Sequence, residues 1–284
     1  METTGGIFDK VFENMEKNIL NEENGDYVNN GEGLIYCGKC HTAKQQMANV
    51  GGVLRKIPKN CDCRSKEMEK ERKEMEEFEH SMRINRLKSM AFDDDLMYKQ
   101  TFEQEDGSLE HKQAGLNYVK HFEDMEKENI GLILTGAVGT GKTYLASSIA
   151  NALIEKGISV RMTNFGVILN DMMNLQIDKN MYIKNLNSNR LLIIDDFGIQ
   201  RDTSFALEHI FNIIDSRYRA NKPIIVTTNL SISHLMNTTD LKEKRIYSRL
   251  LEMATPIIFN GENHRIKTMR EKAMTANLIL MESR

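Results

Sequence analysis

The sequence lacks tryptophan and has only three prolines in 284 residues, so little in it interrupts helices. Neither sign of charge dominates, because 41 acidic residues face 38 basic ones and leave a formal net charge of -3. This balance excludes a strongly basic nucleic-acid coat protein and confines any nucleic-acid site to a local patch. The sequence also has no apolar run of about 18 residues and no secretion leader at its start. We therefore expect a helix-rich, cytoplasmic protein without a membrane span.

Cysteine is absent after residue 63, and the four cysteines form two close pairs, Cys37 with Cys40 and Cys61 with Cys63. Such local spacing argues against a disulfide framework spread through the fold. Two converging pairs offer four thiolates, a tetrahedral ligand set that suits zinc, and zinc binding would help to fold a segment with little apolar sequence. His41 is an alternative fourth ligand, and unliganded thiols or a redox switch are the alternatives to zinc.

The N-terminal third of the chain divides into two parts. We assign residues 1–63 to a small zinc-binding domain, in which apolar residues recur at helical spacing and predict one amphipathic helix. These residues are Ile7, Val11, Phe12, Met15 and Ile19. Residues 64–90 are strongly charged and predict a solvated linking helix, with self-association through its thin apolar stripe as the alternative. The stripe consists of Met68, Met75, Phe78 and Met82.

From about residue 130, apolar strand-like runs alternate with helical patterns. The runs are IGLILTG, ISVRMT, LLIIDDFG, PIIVTTN and TPIIFN. This alternation predicts an α/β domain with a buried parallel sheet flanked by helices, which we assign to residues 91–284.

The segment GAVGTGKT, residues 136–143, matches the phosphate-binding pattern G-x-x-x-x-G-K-[ST]. It follows a predicted strand and opens a predicted helix, as that pattern requires. Its glycines let consecutive backbone N–H groups approach phosphate oxygens, and the positive end of the helix adds to the attraction.

The side chains that follow in this loop predict ATP and Mg²⁺ as ligands. Lys142 is expected to reach the β- and γ-phosphates, and the Thr143 hydroxyl to complete the coordination of Mg²⁺. The predicted nucleotide-binding residues are Gly136, Ala137, Val138, Gly139, Thr140, Gly141, Lys142, Thr143 and Tyr144.

Polar residues end two later strands. Asp195 and Asp196 follow LLII, where Asp195 is expected to hold Mg²⁺ and Asp196 to orient and activate the attacking water. A helix-capping pair is the alternative. Asn229 ends IIVTT and is predicted to contact the γ-phosphate or position water, although a plain turn residue is the alternative.

The ordered set GAVGTGKT, LLIIDDFG, IIVTTN and RIYSR resembles the AAA+ P-loop ATPases, and most closely the DnaC/DnaI family of replicative helicase loaders, over about residues 90–272. The resemblance implies that Arg249 is the arginine finger that completes a neighbouring subunit's ATP site, with Arg245 as the competing candidate. It also implies that Arg265, in GENHRIK, is the sensor 2 arginine. Few residues follow Arg265, so no full helical lid is expected.

The resemblance further implies a helicase loader. Residues 1–63 would grip a hexameric replicative helicase, and the ATPase domain would self-associate, hydrolyse ATP slowly without partners and bind single-stranded DNA near residues 165–174. The excess of basic residues over 242–272 is a second candidate DNA contact, or simply a solvated face. The rivals are an IstB-like transposition helper, which binds duplex DNA and a transposase, and a zinc-bearing adaptor that uses nucleotide only as a switch.

Overall fold

The computed structural model describes residues 24–104, 109–174, 176–198, 204–261 and 263–281. The amphipathic helix predicted from Ile7 to Ile19 lies outside these residues. The chain separates into two compact units, Met1–Ser81 and Met82–Arg284. Across the described residues, no helix is long and apolar enough to cross a membrane.

The first unit is built from short antiparallel pairs. Strand β1 (Tyr27–Val28) pairs with β2 (Ile35–Tyr36), and β3 (Gln45–Val50) pairs with β4 (Val53–Pro58). The two-residue turn between β3 and β4 is Gly51-Gly52, whose φ angles of 65° and 86° suit glycine and match the twist of a tight hairpin.

The linking helix predicted over residues 64–90 is present as α1 (Asp62–Ala91). In the first unit its surface carries ion pairs one turn apart, such as Arg72 with Glu69 at 2.9 Å and with Glu76 at 2.5 Å. Such pairs stabilise a solvated helix by about 0.2–0.5 kcal/mol each. The apolar stripe of α1 is exposed, with Phe78 62% accessible.

The second unit contains the predicted α/β domain. After α1 come two 3₁₀ turns (Asp95–Lys99 and Phe102–Gln104) and the helices α2 (Leu109–Lys120) and α3 (Phe122–Lys127). The strands are β5 (Gly131–Gly136), β6 (Val160–Asn164), β7 (Leu191–Phe197), β8 (Ile224–Thr228) and β9 (Ala254–Phe259). The remaining helices are α4 (Lys142–Glu155), α5 (Phe165–Met173), α6 (Lys179–Ser188), α7 (Ser204–Arg219), α8 (Ile232–Asn237), α9 (Leu241–Met253) and α10 (His264–Met281).

The five strands form one parallel sheet in the order β6-β7-β8-β5-β9. Helices cover both faces, so the inner strands are apolar along almost their whole length. Leu145 and Leu153 of α4 pack on one face, and Ile168, Ile213 and Leu250 of α5, α7 and α9 pack on the other. The predicted α/β class is therefore confirmed. Helix α10 follows β9.

At the opposite edge from the carboxyl ends of the strands, Arg217 joins the starts of β7 and β8. Its side chain is fully buried and donates to the carbonyls of Asn189 at 2.8 Å, Arg190 at 2.7 Å and Pro223 at 2.8 Å. Burial lowers the pKa of Arg217 to about 10. The guanidinium thus satisfies carbonyls that would otherwise be buried without a donor.

We predict that Arg217→Met lowers the free energy of unfolding of the second unit by about 3 kcal/mol, because three carbonyls lose a charged donor. Urea denaturation followed by circular dichroism measures this change. The exposed Arg270→Met on α10 is the control and is expected to change it by less than about 0.5 kcal/mol. Equal effects of the two substitutions would contradict this role for Arg217.

Candidate functional site

The phosphate-binding loop connects β5 to α4, as the motif predicts. The start of α10 lies against it, because the His264 N–H donates to the Gly139 carbonyl at 2.9 Å. Gly139 has a φ of 80°, and a Cβ there would lie 2.0 Å from Asn263 Oδ1. The left-handed backbone therefore favours glycine at this position, and the side chain of Asn263, just before α10, occupies the space that a Cβ would take.

Lys142 lies inside this loop and is 6% exposed. Its Nζ donates to the carbonyls of Gly136 at 2.9 Å and Ala137 at 2.7 Å, and to Asn229 Oδ1 at 2.9 Å. Burial lowers the pKa of Lys142, while the nearby acids Asp196 and Asp195 oppose that shift. The structure thus joins the ends of β5 and β8 through one ammonium group.

The Thr143 hydroxyl donates to Asp195 Oδ1 at 2.9 Å, and the Thr227 hydroxyl donates to the same oxygen at 2.5 Å. Asp195 is buried, and this burial raises its pKa, whereas the two hydroxyls act to lower it. Thr143 and Asp195 are hard oxygen ligands side by side, a pairing that fits Mg²⁺.

Asp196 is exposed although the adjacent Asp195 is buried. A register shift in β7 between Ile194 and Phe197 accompanies a left-handed backbone at Asp196, with a φ of 52°. The Asp196 N–H donates to Thr227 Oγ1 at 3.0 Å. Both acids belong to β7 itself rather than to a helix start, so the capping alternative does not describe them.

The two predicted arginines occupy different places. Arg265 is the second residue of α10, exposed, and near enough to Lys142 for its charge to act on the pKa of that lysine. The contacts of Arg249 are with α7 rather than with residues 136–144, since its Nη2 pairs with Asp215 at 2.8 Å. The structure therefore brings Arg265, and not Arg249, to this chain's own phosphate loop.

The remaining predicted loop residues have structural contacts of their own. The Thr140 hydroxyl donates to the Ala137 carbonyl at 2.9 Å, and the Tyr144 hydroxyl donates to the Thr101 carbonyl at 3.1 Å. Val138 is 52% exposed. Of these residues, Thr140 stabilises the loop itself, whereas Tyr144 connects the helix that follows it to Thr101.

A cleft of about 600 Å³ adjoins the loop and was missed by the sequence analysis. Its lining includes His111 of α2, Thr140, Ile258 and His264. The His111 ring stacks on Phe259 at 4.0 Å between centroids, and its Nε2 lies 3.1 Å from the Ile258 carbonyl. Residues this far apart in the chain carry no spacing signal, so only the fold reveals the cleft.

The four cysteines of the first unit converge, with their sulfurs all within 4.8 Å of one another. Zinc bonded to four sulfurs at about 2.3 Å would separate them by about 3.8 Å, so the cluster has the dimensions of a zinc site. Contact with the Thr42 hydroxyl lowers the pKa of Cys40 to about 5, whereas neighbouring thiols raise the pKa of Cys63 to about 12. A bound cation would offset the repulsion between neighbouring thiolates and so let all four cysteines ionise together.

His41 does not belong to this group of four sulfurs. Its ring lies 5.9 Å from the Tyr27 ring, and its Nδ1 is 3.4 Å from the Tyr27 hydroxyl. Between Cys37 and Cys40, Gly38 lies so close to the chain at Gly25 that a Cβ there would be 2.3 Å from the Gly25 carbonyl oxygen. The geometry favours four thiolates over the alternative with His41.

The sheet order, the phosphate loop and the acids on β7 define an AAA+ type P-loop ATP-binding protein. A family model described as IstB-like ATP binding protein matches residues 65–272. The chain belongs to this IstB-like ATP-binding protein family.

Curated relatives agree with the family resemblance seen in the motifs. The chain is 28% identical over 194 residues to the replicative helicase loader DnaI of Bacillus subtilis, covering 63% of this chain and 62% of that protein. It is 28% identical over 151 residues to the replicative helicase loader DnaC of Escherichia coli, covering 51% and 60%. The chain thus spans about three-fifths of the length of these relatives. The predicted resemblance to DnaC/DnaI proteins is confirmed.

Two further similarities bear on the fold and on the alternatives. A crystal structure of DnaI superposes with a TM-score of 0.53 and 23% identity, over 63% of this chain and 98% of that one, and so shows a common fold. An ATP-binding protein in an insertion sequence of Mycobacterium tuberculosis is 25% identical over 138 residues, covering 47% of this chain and 55% of that protein.

We predict that the protein purifies with about one zinc ion per chain, and that the double variant Cys37→Ser, Cys40→Ser purifies without it, because two of four ligands are lost. Zinc is measured by mass spectrometry of the metal. His41→Ala is the matched control and is expected to keep its zinc. If His41→Ala lost its zinc while the double cysteine variant kept it, the four-thiolate site would be contradicted.

We also predict a role for Thr227, whose hydroxyl donates to the Asp195 carboxylate and accepts from the Asp196 N–H. Thr227→Val is expected to lower the ATPase rate about tenfold while ATP binding persists, because a buried hydrogen bond near the reacting groups is lost. Removing a hydroxyl that lowers the pKa of Asp195 raises that pKa, so activity should fall at a higher pH as the solution is acidified. The pH–rate profile measures this shift.

Thr163→Val on β6 is the control for this substitution. Its buried Oγ1 has no hydrogen-bond partner among the described residues, so the rate and its pH profile are expected to stay unchanged. A Thr227→Val variant with the wild-type pH–rate profile would show that the Thr227 hydroxyl does not act on Asp195.

Proposed function

We propose that this protein is an ATP-dependent helicase loader that binds a replicative DNA helicase and helps to place it on single-stranded DNA. The observation that carries the proposal is the convergence of Lys142, Thr143, Asp195 and Asn229 at one edge of the sheet, in a chain whose curated relatives are replicative helicase loaders. This arrangement supports ATP hydrolysis as the source of free energy.

In this proposal the triphosphate lies along the loop at residues 136–143, and Lys142 contacts its terminal phosphates. Thr143 and Asp195 hold Mg²⁺, which neutralises phosphate charge when bound. Asp196, exposed at the bulge in β7, orients and activates the attacking water. Asn229 is proposed to contact the γ-phosphate or to position this water, and its hydrogen bond with Lys142 supports that role.

The cleft beside the loop is proposed to take the nucleobase. Its lining includes the imidazole rings of His111 and His264, and it opens next to Thr140 of the loop. Arg265, at the start of α10, is proposed to act as the sensor arginine, and its influence on Lys142 supports that position.

The first unit is proposed to bind zinc and to grip the helicase. It offers exposed apolar side chains on the hairpin of β3 and β4, including Met47 at 50% and Leu54 at 68% accessibility. The exposed apolar side chains of a small zinc-bearing unit supply contact area for a protein partner. The helicase is proposed as that partner because the relatives are named for loading it.

Single-stranded DNA and a second copy of the chain are the other proposed partners. Exposed basic residues on α9 and α10, such as Lys244 and Arg270, support a contact to phosphates there. Residues 165–174, which comprise α5 and Asn174, contain no lysine or arginine, so they supply no positive charge for this purpose. We propose self-association with Arg249 facing a neighbour's ATP, and a cytoplasmic location.

A transposition helper is the second candidate, favoured by the relative from an insertion sequence. It would use the same ATP site with duplex DNA and a transposase. The cysteine cluster supports the loader instead, because it adds a separate unit for a protein partner. An adaptor that does not hydrolyse ATP is less favoured, because Asp195 and Asp196 retain the arrangement that hydrolysis needs.

The experiment that tests the proposal is helicase loading onto closed circles of single-stranded DNA with purified hexameric helicase. Wild type is expected to load it with ATP, and Asp196→Asn to bind ATP but lose about a hundredfold in hydrolysis and most loading, because the water-activating carboxylate is lost. The Cys37→Ser, Cys40→Ser variant is expected to keep ATP binding and lose the helicase. Full loading by Asp196→Asn would favour the adaptor. Co-purification of a transposase from cells, in place of the helicase, would favour the transposition helper.

A further inference from the structure

Asp215, on α7, is a buried carboxylate that pairs with two arginines. It is 8% exposed and contacts Arg219 one turn further along α7, and Arg249 Nη2 of α9 at 2.8 Å. One carboxylate between two guanidinium groups leaves the cluster with a net positive charge. Asp215 therefore holds Arg249 without cancelling the cluster's attraction for an anion.

The rest of the Arg249 side chain is fixed by its neighbours. The guanidinium carbon lies 4.7 Å from the Phe211 ring centroid and 5.8 Å from that of Tyr218, and Nη1 donates to the Arg245 carbonyl at 3.1 Å. The side chain still exposes 26% of its surface. Its buried Nε has no hydrogen-bond partner among the described residues. Arg249 is thus oriented from one side and open on the other.

Arg245 is held less firmly, although it lies one turn away on α9. Its guanidinium carbon is 4.3 Å from the Phe211 centroid, but it forms no ion pair with any described residue. An arginine binds a phosphate in one geometry more favourably when its side chain is already oriented. The conformational entropy of the long side chain has then been lost before the phosphate binds. This difference favours Arg249 over Arg245 as the oriented arginine.

We propose that Asp215 is a positioning residue that holds Arg249 in the orientation in which it meets the triphosphate bound by a neighbouring copy of this chain. The inference rests on the proposed function, in which Arg249 completes the neighbour's ATP site. In this arrangement Asp215 acts only through its ion pair with Arg249. Its loss therefore affects the turnover of the adjacent subunit and spares ATP binding in its own.

The test is an ATPase assay of the full chain at concentrations where it assembles with single-stranded DNA and helicase. Asp215→Asn is expected to lower kcat at least about tenfold and to change KM for ATP less than about twofold, because misplacing a transition-state contact affects turnover rather than binding. Arg249→Ala sets the scale for complete loss of the contact. Asp215→Glu, which keeps the charge, is expected to recover part of kcat.

Mixing subunits separates positioning from a mere loss of fold. Lys142→Ala subunits cannot bind ATP but carry an intact Arg249, so a mixture with Asp215→Asn subunits should regain activity that neither has alone. With random mixing in a head-to-tail assembly, about a quarter of the sites combine an intact loop with an intact arginine. Misfolded Asp215→Asn subunits would gain nothing from such neighbours.

Glu126→Gln is the matched control, since Glu126 forms a half-buried pair with Arg190 on other elements of the same unit. It is expected to keep kcat. A rise in kcat for Asp215→Asn would overturn the proposal, because the Asp215–Arg249 pair would then restrain Arg249 from acting rather than orient it. Each variant is also mixed with Lys142→Ala subunits. If this mixing rescues Arg249→Ala but not Asp215→Asn, the role of Asp215 is overturned while the shared ATP site stands. If it does not rescue Arg249→Ala, the shared ATP site is overturned and the role of Asp215 with it.

Discussion

Parallel alignment of β7, β8 and β5 is the constraint on which the site depends. Because their carboxyl ends meet at one edge, three short segments far apart in sequence lie within hydrogen-bond distance. Lys142 after β5 contacts Asn229 after β8, and Thr227 of β8 contacts Asp195 of β7. The apolar runs that bury these strands therefore also determine where the polar groups meet.

The regular strand geometry is broken at one point, and that break gives two adjacent acids different surroundings. Without the register shift in β7, strand alternation alone would place Asp195 and Asp196 on opposite faces of the sheet. With the left-handed backbone at Asp196, its carboxylate is instead exposed to solvent, and its N–H donates a hydrogen bond to the Thr227 hydroxyl. Left-handed backbone is unfavourable for a residue with a Cβ, and the Thr227 contact helps to stabilise it.

Contiguous motifs made most of the candidate site predictable as a cluster of polar side chains, because the residues of a loop or strand end are neighbours in sequence. The phosphate loop, the paired acids and the four cysteines are all such motifs, in which the residues that meet lie close together in the sequence. Thr227, His111 and Asp215 could not be predicted, since each acquires its role from a contact across 30 or more residues. A buried arginine such as Arg217, bonded only to carbonyls, also has no signature in the sequence.

The two units differ in what stabilises them, and this difference bears on how each can act. The second unit buries apolar side chains on both faces of its sheet. Among the described residues of the first unit, the buried apolar and thiol side chains are only Ile35, Cys37 and Cys61, so the thiol cluster itself occupies the position of a core. A metal that holds such a cluster supplies the folding free energy that apolar burial cannot. The hairpin of β3 and β4 in the first unit leaves apolar side chains exposed, as the proposed contact with a helicase requires, whereas the polar groups of the second unit meet at the edge of a buried sheet.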